Sequence, residues 1–131
     1  MQLGINDGVA VHVNDEIDII IALTLNDYQM KAESTAIYPN KGNNIVYPTL
    51  GLSGEAGECS EKVKKLIRDF DGILTDEYKE KIAKELGDVL WYVAMLAHEI
   101  KYDLQTIAEM NLEKLSSRKT RNQLQGNGDD R

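Results

Sequence analysis

Two short acidic steps limit what this chain can fold into: Glu55-Ala-Gly-Glu58 and, 26 residues later, Glu85-Leu-Gly-Asp88. In each step two carboxylates stand three residues apart, and on a helix that spacing puts both on one face, roughly 60° apart. If two such helices face each other, four carboxylates cannot all be buried and ionised without cations between them. Hard oxygen ligands at this density suit Mg²⁺ or Mn²⁺, ions that commonly handle phosphates.

The remaining sequence supplies the helices this requires. Thr24 or Asn26 caps a first helix carrying Tyr28, Ala32 and Ala36 on one side and ending before Pro39. Pro39-Asn-Lys-Gly-Asn-Asn44 reads as a loop. A second helix starts near Tyr47–Leu50, with Pro48 tolerated in its first turn, and runs to about Asp69, where Asp71-Gly72 stops it. Thr75 caps a third helix to about Lys101, with Ile82, Leu86, Val89, Leu90, Val93 and Leu96 as its apolar residues. Asp103 caps a fourth, from Leu104 to about Lys119, and the tail 123–131 reads as irregular. The expected fold is all-α, a four-helix bundle-like domain over 23–131. Residues 1–22 form a separate, short irregular or β-like extension, in which Val9, Val11 and Val13 alternate and Ile17 to Ile21 form a β-branched run.

Composition narrows the function classes. The 131 residues include 22 acidic and 15 basic side chains, a formal net charge of −7. That balance argues against a nucleic-acid polymer as partner, because such affinity comes from Lys and Arg neutralising phosphates. It leaves a single nucleotide open, whose charge metals can meet locally. Cys59 is the sole cysteine, so no intramolecular disulfide forms. The run Ile17–Leu25 is too short, and too interrupted by Asp18 and Thr24, to span a bilayer. The expectation is a cytoplasmic protein with no membrane partner.

Helical geometry indicates what accompanies the carboxylates. Glu55 and Glu58 share a stripe with Cys59, Lys62 and Lys65, and Glu85 and Asp88 share one with Lys81, Tyr92, Met95 and Glu99. On the fourth helix Asn111, Lys114 and Arg118 project near the side of Leu104, Ile107, Ala108 and Leu115. A bland amphipathic helix keeps an amide and two cations off its apolar stripe, whereas a phosphate pocket uses them. An isolated acidic pair is ordinarily a solvated face. Here both pairs stand beside glycines (Gly54, Gly57 and Gly87) that each cost a helix about 1 kcal/mol relative to Ala. That repetition points to close helix approach or room for a ligand. His98 falls away from the acidic stripe, and Cys59 has no His or Cys partner at ligand spacing, so both read as structural. Trp91 reads as core or subunit interface, and Tyr92 as the residue that approaches substrate. Asn26, Gln29 and Glu33 form a polar stripe that reads either as a base-recognising edge or as a solvated one.

These residues resemble the MazG-like all-α nucleoside triphosphate pyrophosphohydrolases. The likeness rests on Glu-x-x-Glu followed by Glu-x-x-Asp, on Gly-Leu-Ser-Gly-Glu-Ala-Gly-Glu at 51–58, on Lys-Glu-Leu-Gly-Asp-Val-Leu-Trp-Tyr at 84–92 and on Asn-Leu-Glu-Lys-Leu at 111–115. The closing Gln-Gly-Asn-Gly-Asp-Asp-Arg looks like that of small, single-domain, often phage-encoded members, which would act in the host cytoplasm. The resemblance implies a homodimer or homotetramer that hydrolyses a (deoxy)nucleoside triphosphate to the monophosphate and pyrophosphate with Mg²⁺, Mn²⁺ substituting. It implies Glu55, Glu58, Glu85 and Asp88 as metal ligands and catalytic groups. It also implies Lys62 or Lys65, Asn111, Lys114 and Arg118 as phosphate-binding.

The chemistry agrees with the residue types, since attack on the α-phosphate by a metal-activated water needs no side-chain nucleophile. Glu58 is the preferred proton acceptor. The resemblance to small phage-encoded members implies dGTP or GTP as the substrate, and guanine's N1–H and N2–H₂ donors are groups that Asn26, Gln29 and Glu33 could accept, with Tyr92 beside the base. The alternatives are a dUTP- or dCTP-selective relative, and a non-catalytic helical module that binds a nucleotide or metal and assembles through its apolar faces.

Overall fold

The structure, a computed structural model, describes residues 3–6, 9–13 and 17–129, with the backbone alone over the segments up to residue 21. Among the described residues are four helices: α1 (Leu25–Glu33), α2 (Val46–Phe70), α3 (Asp76–Glu99) and α4 (Leu104–Thr120). Before them, β1 (Leu3–Asn6), β2 (Val9–Val13) and β3 (Ile17–Ile21) pair antiparallel in the order β1-β2-β3, with Leu3 opposite His12 and Val9 opposite Ile21. The alternating and β-branched runs become β2 and β3, while β1 carries too few β-formers to be read from its own residues. The irregular tail reading holds for residues 123–129; residues 130 and 131 lie outside the described residues.

Each helix boundary has a local cause. Thr24 caps α1 in a capping box, its hydroxyl accepting from Asp27 N at 3.0 Å while Asp27 Oδ2 accepts from Thr24 N at 3.2 Å. Asp71 and Gly72 both adopt positive φ (52° and 73°), and Gly72 N returns to Leu66 O at 3.0 Å, closing α2. This tight stop turns the chain back so that α3, capped by Thr75, packs against α2. The N-terminus of α4 draws on three residues. Asp103 Oδ1 accepts from Thr106 N at 2.7 Å, Gln29 Oε1 from Leu104 N at 2.8 Å, and Asn26 Oδ1 from Gln105 N at 3.0 Å. Two of these caps come from α1, so one helix terminus is satisfied by another helix rather than by water.

The core sits where α1, the loop after it and the second half of α3 meet, around Ala32, Ala36, Tyr38, Ala94, Met95 and Leu104. Trp91 packs on this cluster and donates its indole N–H to Thr35 Oγ1 at 2.9 Å. The loop is held from below by Glu99, a buried carboxylate that accepts from Tyr38 Oη at 2.6 Å and from the backbone N–H groups of Gly42 and Asn44, both at 2.8 Å. Burial alone would raise the Glu99 pKa; the hydrogen bonds from Asn44, Tyr38 and Gly42 outweigh it and hold the carboxyl below its ordinary value. In return Glu99 pushes the Tyr38 phenol, itself raised by burial, far up.

Much apolar surface stays uncovered in the single chain. Leu86 is 55% exposed, Ile67 66% and Leu112 65%, and Leu50, Val63, Phe70, Leu90, Met110 and Leu115 are exposed with them. Thus α3 and α4 carry apolar faces wider than this fold buries. α4 packs on α1 and α3 but not on α2. No described helix is long and apolar enough to cross a membrane.

Because Glu99 meets three donors, Glu99→Gln turns an amide N–H₂ toward groups that themselves donate, and we expect it to destabilise the fold by about 1–3 kcal/mol. Its depressed pKa also sets a sign. The stabilisation is present above the ordinary glutamate range and is lost as pH falls through the lowered folded value. Thermal unfolding followed from pH 7 downward should therefore show a shallower acid loss in Glu99→Gln than in the parent.

Candidate metal and phosphate site

The two acidic steps fall in mid-helix on α2 and α3, on the sides that face each other. Glu55, Glu85 and Asp88 bring one carboxylate oxygen apiece within 4.8 Å of one another. Glu55 and Glu85 are half-buried and Asp88 is exposed. Glu58 is exposed and stands outside this trio, near enough for its charge to act on Glu55. The Glu55 carboxyl is raised above its ordinary value by burial first, then by the charges of Asp88, Glu85 and Glu58. A set of like-charged carboxylates, all-oxygen and open on one side, has the donor chemistry that a hard divalent cation satisfies.

The stripe on α3 crosses three environments. Lys81 is in solvent and paired with Glu77 at 2.7 Å, Glu85 and Asp88 lie in the cluster, and Met95 and Glu99 are in the core. Of the two lysines singled out on α2, Lys62 reaches the cluster, its Nζ 2.9 Å from Glu85 Oε1. Lys65 turns to Glu61 at 3.3 Å, one turn back on its own helix. Glu85 holds the Lys62 ammonium above the ordinary lysine value, by its hydrogen bond and then by its charge.

Aromatic residues wall the cluster. Tyr92 follows Asp88 by one turn, and its phenol is raised by burial, by Tyr47 and by the charges of Glu55 and Asp88. Tyr28 of α1 is raised by burial and by Asp88. Tyr47, in the first turn of α2, has its ring centroid 4.9 Å from Tyr38, stacked, and 6.4 Å from Tyr92. Sequence reasoning found Tyr92 but not Tyr28 or Tyr47. Tyr28 looked like part of an apolar helix side, and nothing local signals that this side faces Asp88.

The other candidates lie elsewhere in the single chain. Asn111 and Lys114 line a cavity of about 340 Å³ with Ile100, Tyr102, Ile107 and Met110. Lys114 and the buried Arg118 both bind Asp129 of the tail, at 3.2 and 3.3 Å, and Arg118 also donates to the carbonyls of Gly128 and Asp129. Asn26, Gln29 and Glu33 line a different cavity with Met30, His98, Lys101 and Tyr102. Gln29 is buried and engaged at both ends of its amide: Nε2 donates to Ala94 O at 3.3 Å and Tyr102 O at 3.0 Å, while Oε1 caps α4. Asn26 Oδ1 caps α4 as well, and Glu33 pairs with Lys41 at 3.5 Å and faces His98 at 3.8 Å. The structure thus gathers Glu55, Glu85, Asp88, Lys62 and Tyr92, and leaves the α1 stripe and the α4 trio apart from them.

The glycines also divide. A methyl at Gly54, Gly57 or Gly87 would meet open space. At Gly51 it would fall on the Tyr92 ring, so the close approach expected beside the carboxylates occurs one turn before Glu55.

Residues 48–122 match the family described as the MazG nucleotide pyrophosphohydrolase domain. This stretch contains both acidic steps and all of α4. The chain is also similar to Gene 37 protein of Mycobacterium phage L5, with 50% identity over 109 residues that cover 79% of this chain and 96% of that protein. No solved structure matches the chain.

Gly51→Ala must displace Tyr92 from beside the cluster, and we expect an overpacking cost of about 1–3 kcal/mol. Gly57→Ala, which meets no neighbour, should instead be neutral or gain up to about 1 kcal/mol in helix propensity. Denaturant unfolding of the two variants checks the contrast.

Proposed function

Because the chain belongs to the MazG nucleotide pyrophosphohydrolase family, we propose that it hydrolyses a (deoxy)nucleoside triphosphate to the monophosphate and pyrophosphate with the help of a divalent cation. The observation that carries this reading is the meeting of Glu55, Glu85 and Asp88 across two helices. These three would hold Mg²⁺, or Mn²⁺ in its place. A cation there supplies neutralising charge for the phosphate chain and acidifies a water.

The chain's own residues take the remaining tasks. Glu58, exposed and outside the trio, accepts the proton as water oxygen attacks the α-phosphorus and the bond to the pyrophosphate oxygen breaks. Lys62 meets the phosphate oxygens. Tyr92 offers the base a ring face beside the cluster. The guanine preference drew its physical argument from Asn26, Gln29 and Glu33. With Asn26 and Gln29 engaged in capping α4, ring stacking alone remains, and it does not rank the bases. The substrate is a nucleoside triphosphate, with dGTP or GTP and dUTP or dCTP as the ones to compare.

Assembly is part of the reading. α4 does not pack on α2 within one chain, so in this reading Asn111 and Lys114 reach phosphates bound at the acidic cluster from a second copy, while Arg118 stays buried and bound to the tail. The uncovered apolar faces of α2, α3 and α4 support association of copies. We propose a homodimer or homotetramer in the cytoplasm, with residues 23–131 as the catalytic domain and 1–22 as an extension.

Product identification tests the reaction: incubation with Mg²⁺ and each common nucleotide should release monophosphate and pyrophosphate, and diphosphate with orthophosphate would refute it. Chelation should abolish turnover, and Mg²⁺ or Mn²⁺ should restore it. Glu55→Gln and Asp88→Asn should each lower kcat by roughly a hundredfold or more, since even outer-shell partners of a metal are worth ~10–100-fold. Both should keep the parent's circular dichroism and oligomeric mass, and full turnover in either would contradict the site. Light scattering should give two or four times the chain mass.

A further inference from the structure

Lys62 occupies an unusual place for a phosphate-binding lysine. Its ammonium lies 2.9 Å from Glu85 Oε1, on an oxygen of one of the three clustered carboxylates, with the Lys62 side chain 29% and Glu85 16% exposed. We propose that Lys62 is a placeholder cation: it neutralises Glu85 until a divalent cation enters the cluster, and is then released to meet the phosphate chain of the substrate. This rests on the metal-site reading given above.

Three carboxylates within 4.8 Å repel one another, and Glu58 adds to the same field. Lys62 is the lysine that relieves this, because Lys65 is engaged with Glu61 and Lys81 with Glu77. An ammonium on Glu85 Oε1 and a divalent cation on the same carboxylate repel each other, so entry of the cation weakens the Lys62 pair and favours its release. Its four-carbon stem and three rotatable donors let the head move without disturbing α2. Once off Glu85 and half-buried at the edge of the cluster, the ammonium needs a new acceptor. Oxygens of a triphosphate held at the same cluster provide one. The ion pair therefore couples the two binding events: cation first, then phosphate.

A purely structural salt bridge between α2 and α3 makes different predictions. Acylation of lysines by an N-hydroxysuccinimide ester, read by peptide mass spectrometry, distinguishes the two. In the parent protein without metal, Lys62 should be protected relative to the exposed Lys84, which pairs with Glu80 along its own helix. Adding Mg²⁺ should raise Lys62 acylation several-fold with Lys84 unchanged, and adding pyrophosphate with Mg²⁺ should protect Lys62 again. Independently, Lys62→Met should tighten Mn²⁺ binding, followed by electron paramagnetic resonance, by roughly tenfold. The same variant should lose the gain in pyrophosphate affinity that follows metal binding in the parent. If the parent binds Mn²⁺ while Lys62 stays protected and Lys62→Met binds it no more tightly, the placeholder role is overturned and the metal site stands. If the parent binds no Mn²⁺ by resonance, both fall together.

Discussion

Repulsion among Glu55, Glu85 and Asp88 is the constraint around which the helical structure is arranged. Like charges at this separation cost free energy that the chain recovers elsewhere. The recovery is local and visible. Lys62 neutralises Glu85, and the Asp71-Gly72 stop and the Thr75 cap fix where α2 and α3 reverse and so which of their residues face each other. Further along α3 the same helix sinks into the core at Ala94, Met95 and Ala97, which anchors it independently of the charged stretch. Like charge is thereby concentrated on one stretch of the α2–α3 pair, and the packing that anchors α3 lies outside that stretch.

The helices were legible because their punctuation is local. Thr24, Thr75 and Asp103 each cap within three residues of their own position, and Asp71-Gly72 announces a left-handed stop. Which side chains share a face on each helix was legible for the same reason, since i,i+3 and i,i+4 spacing decides it, whereas the meeting of Glu55 with Glu85 and Asp88 across two helices was expected only through the family resemblance. What could not be read depends on contacts between residues far apart in the chain. Gln29 meets Ala94 and Leu104, Glu99 meets Tyr38, Gly42 and Asn44, and the charge of Asp88 acts on Tyr28. A polar stripe on a short helix looks the same whether it awaits a ligand or caps a neighbouring helix. Arg118 shows the same ambiguity on α4: its charge suggested a phosphate, and the structure buries it under the carbonyls of the tail.

The balance of surface also carries meaning. Few large side chains are wholly enclosed in one chain, whereas Leu50, Ile67, Leu86, Leu90, Leu112 and Leu115 remain open to solvent. For a chain with net charge −7, long-range repulsion between copies opposes association, so apolar contact must be extensive where it occurs. The reading in which copies join through these faces supplies that contact, and it also brings cationic α4 residues toward an acidic cluster that has few cations of its own.

The amide of Gln29 carries a further consequence. It presents a donor to two carbonyls, Ala94 O and Tyr102 O, and an acceptor to one N–H, Leu104 N, so both ends of its dipole are read at once. A carboxylate of the same shape would set acceptor against acceptor, and a hydrocarbon would leave the Leu104 N–H in the first turn of α4 without its partner. The junction of α1, α3 and α4 is thus keyed by polarity as well as by shape. Sliding α4 by one residue would take Leu104 off its place in the core and would also set a different backbone group opposite the key. One amide thus ties together three helices that also share Ala32, Ala94, Met95 and Leu104 in the core.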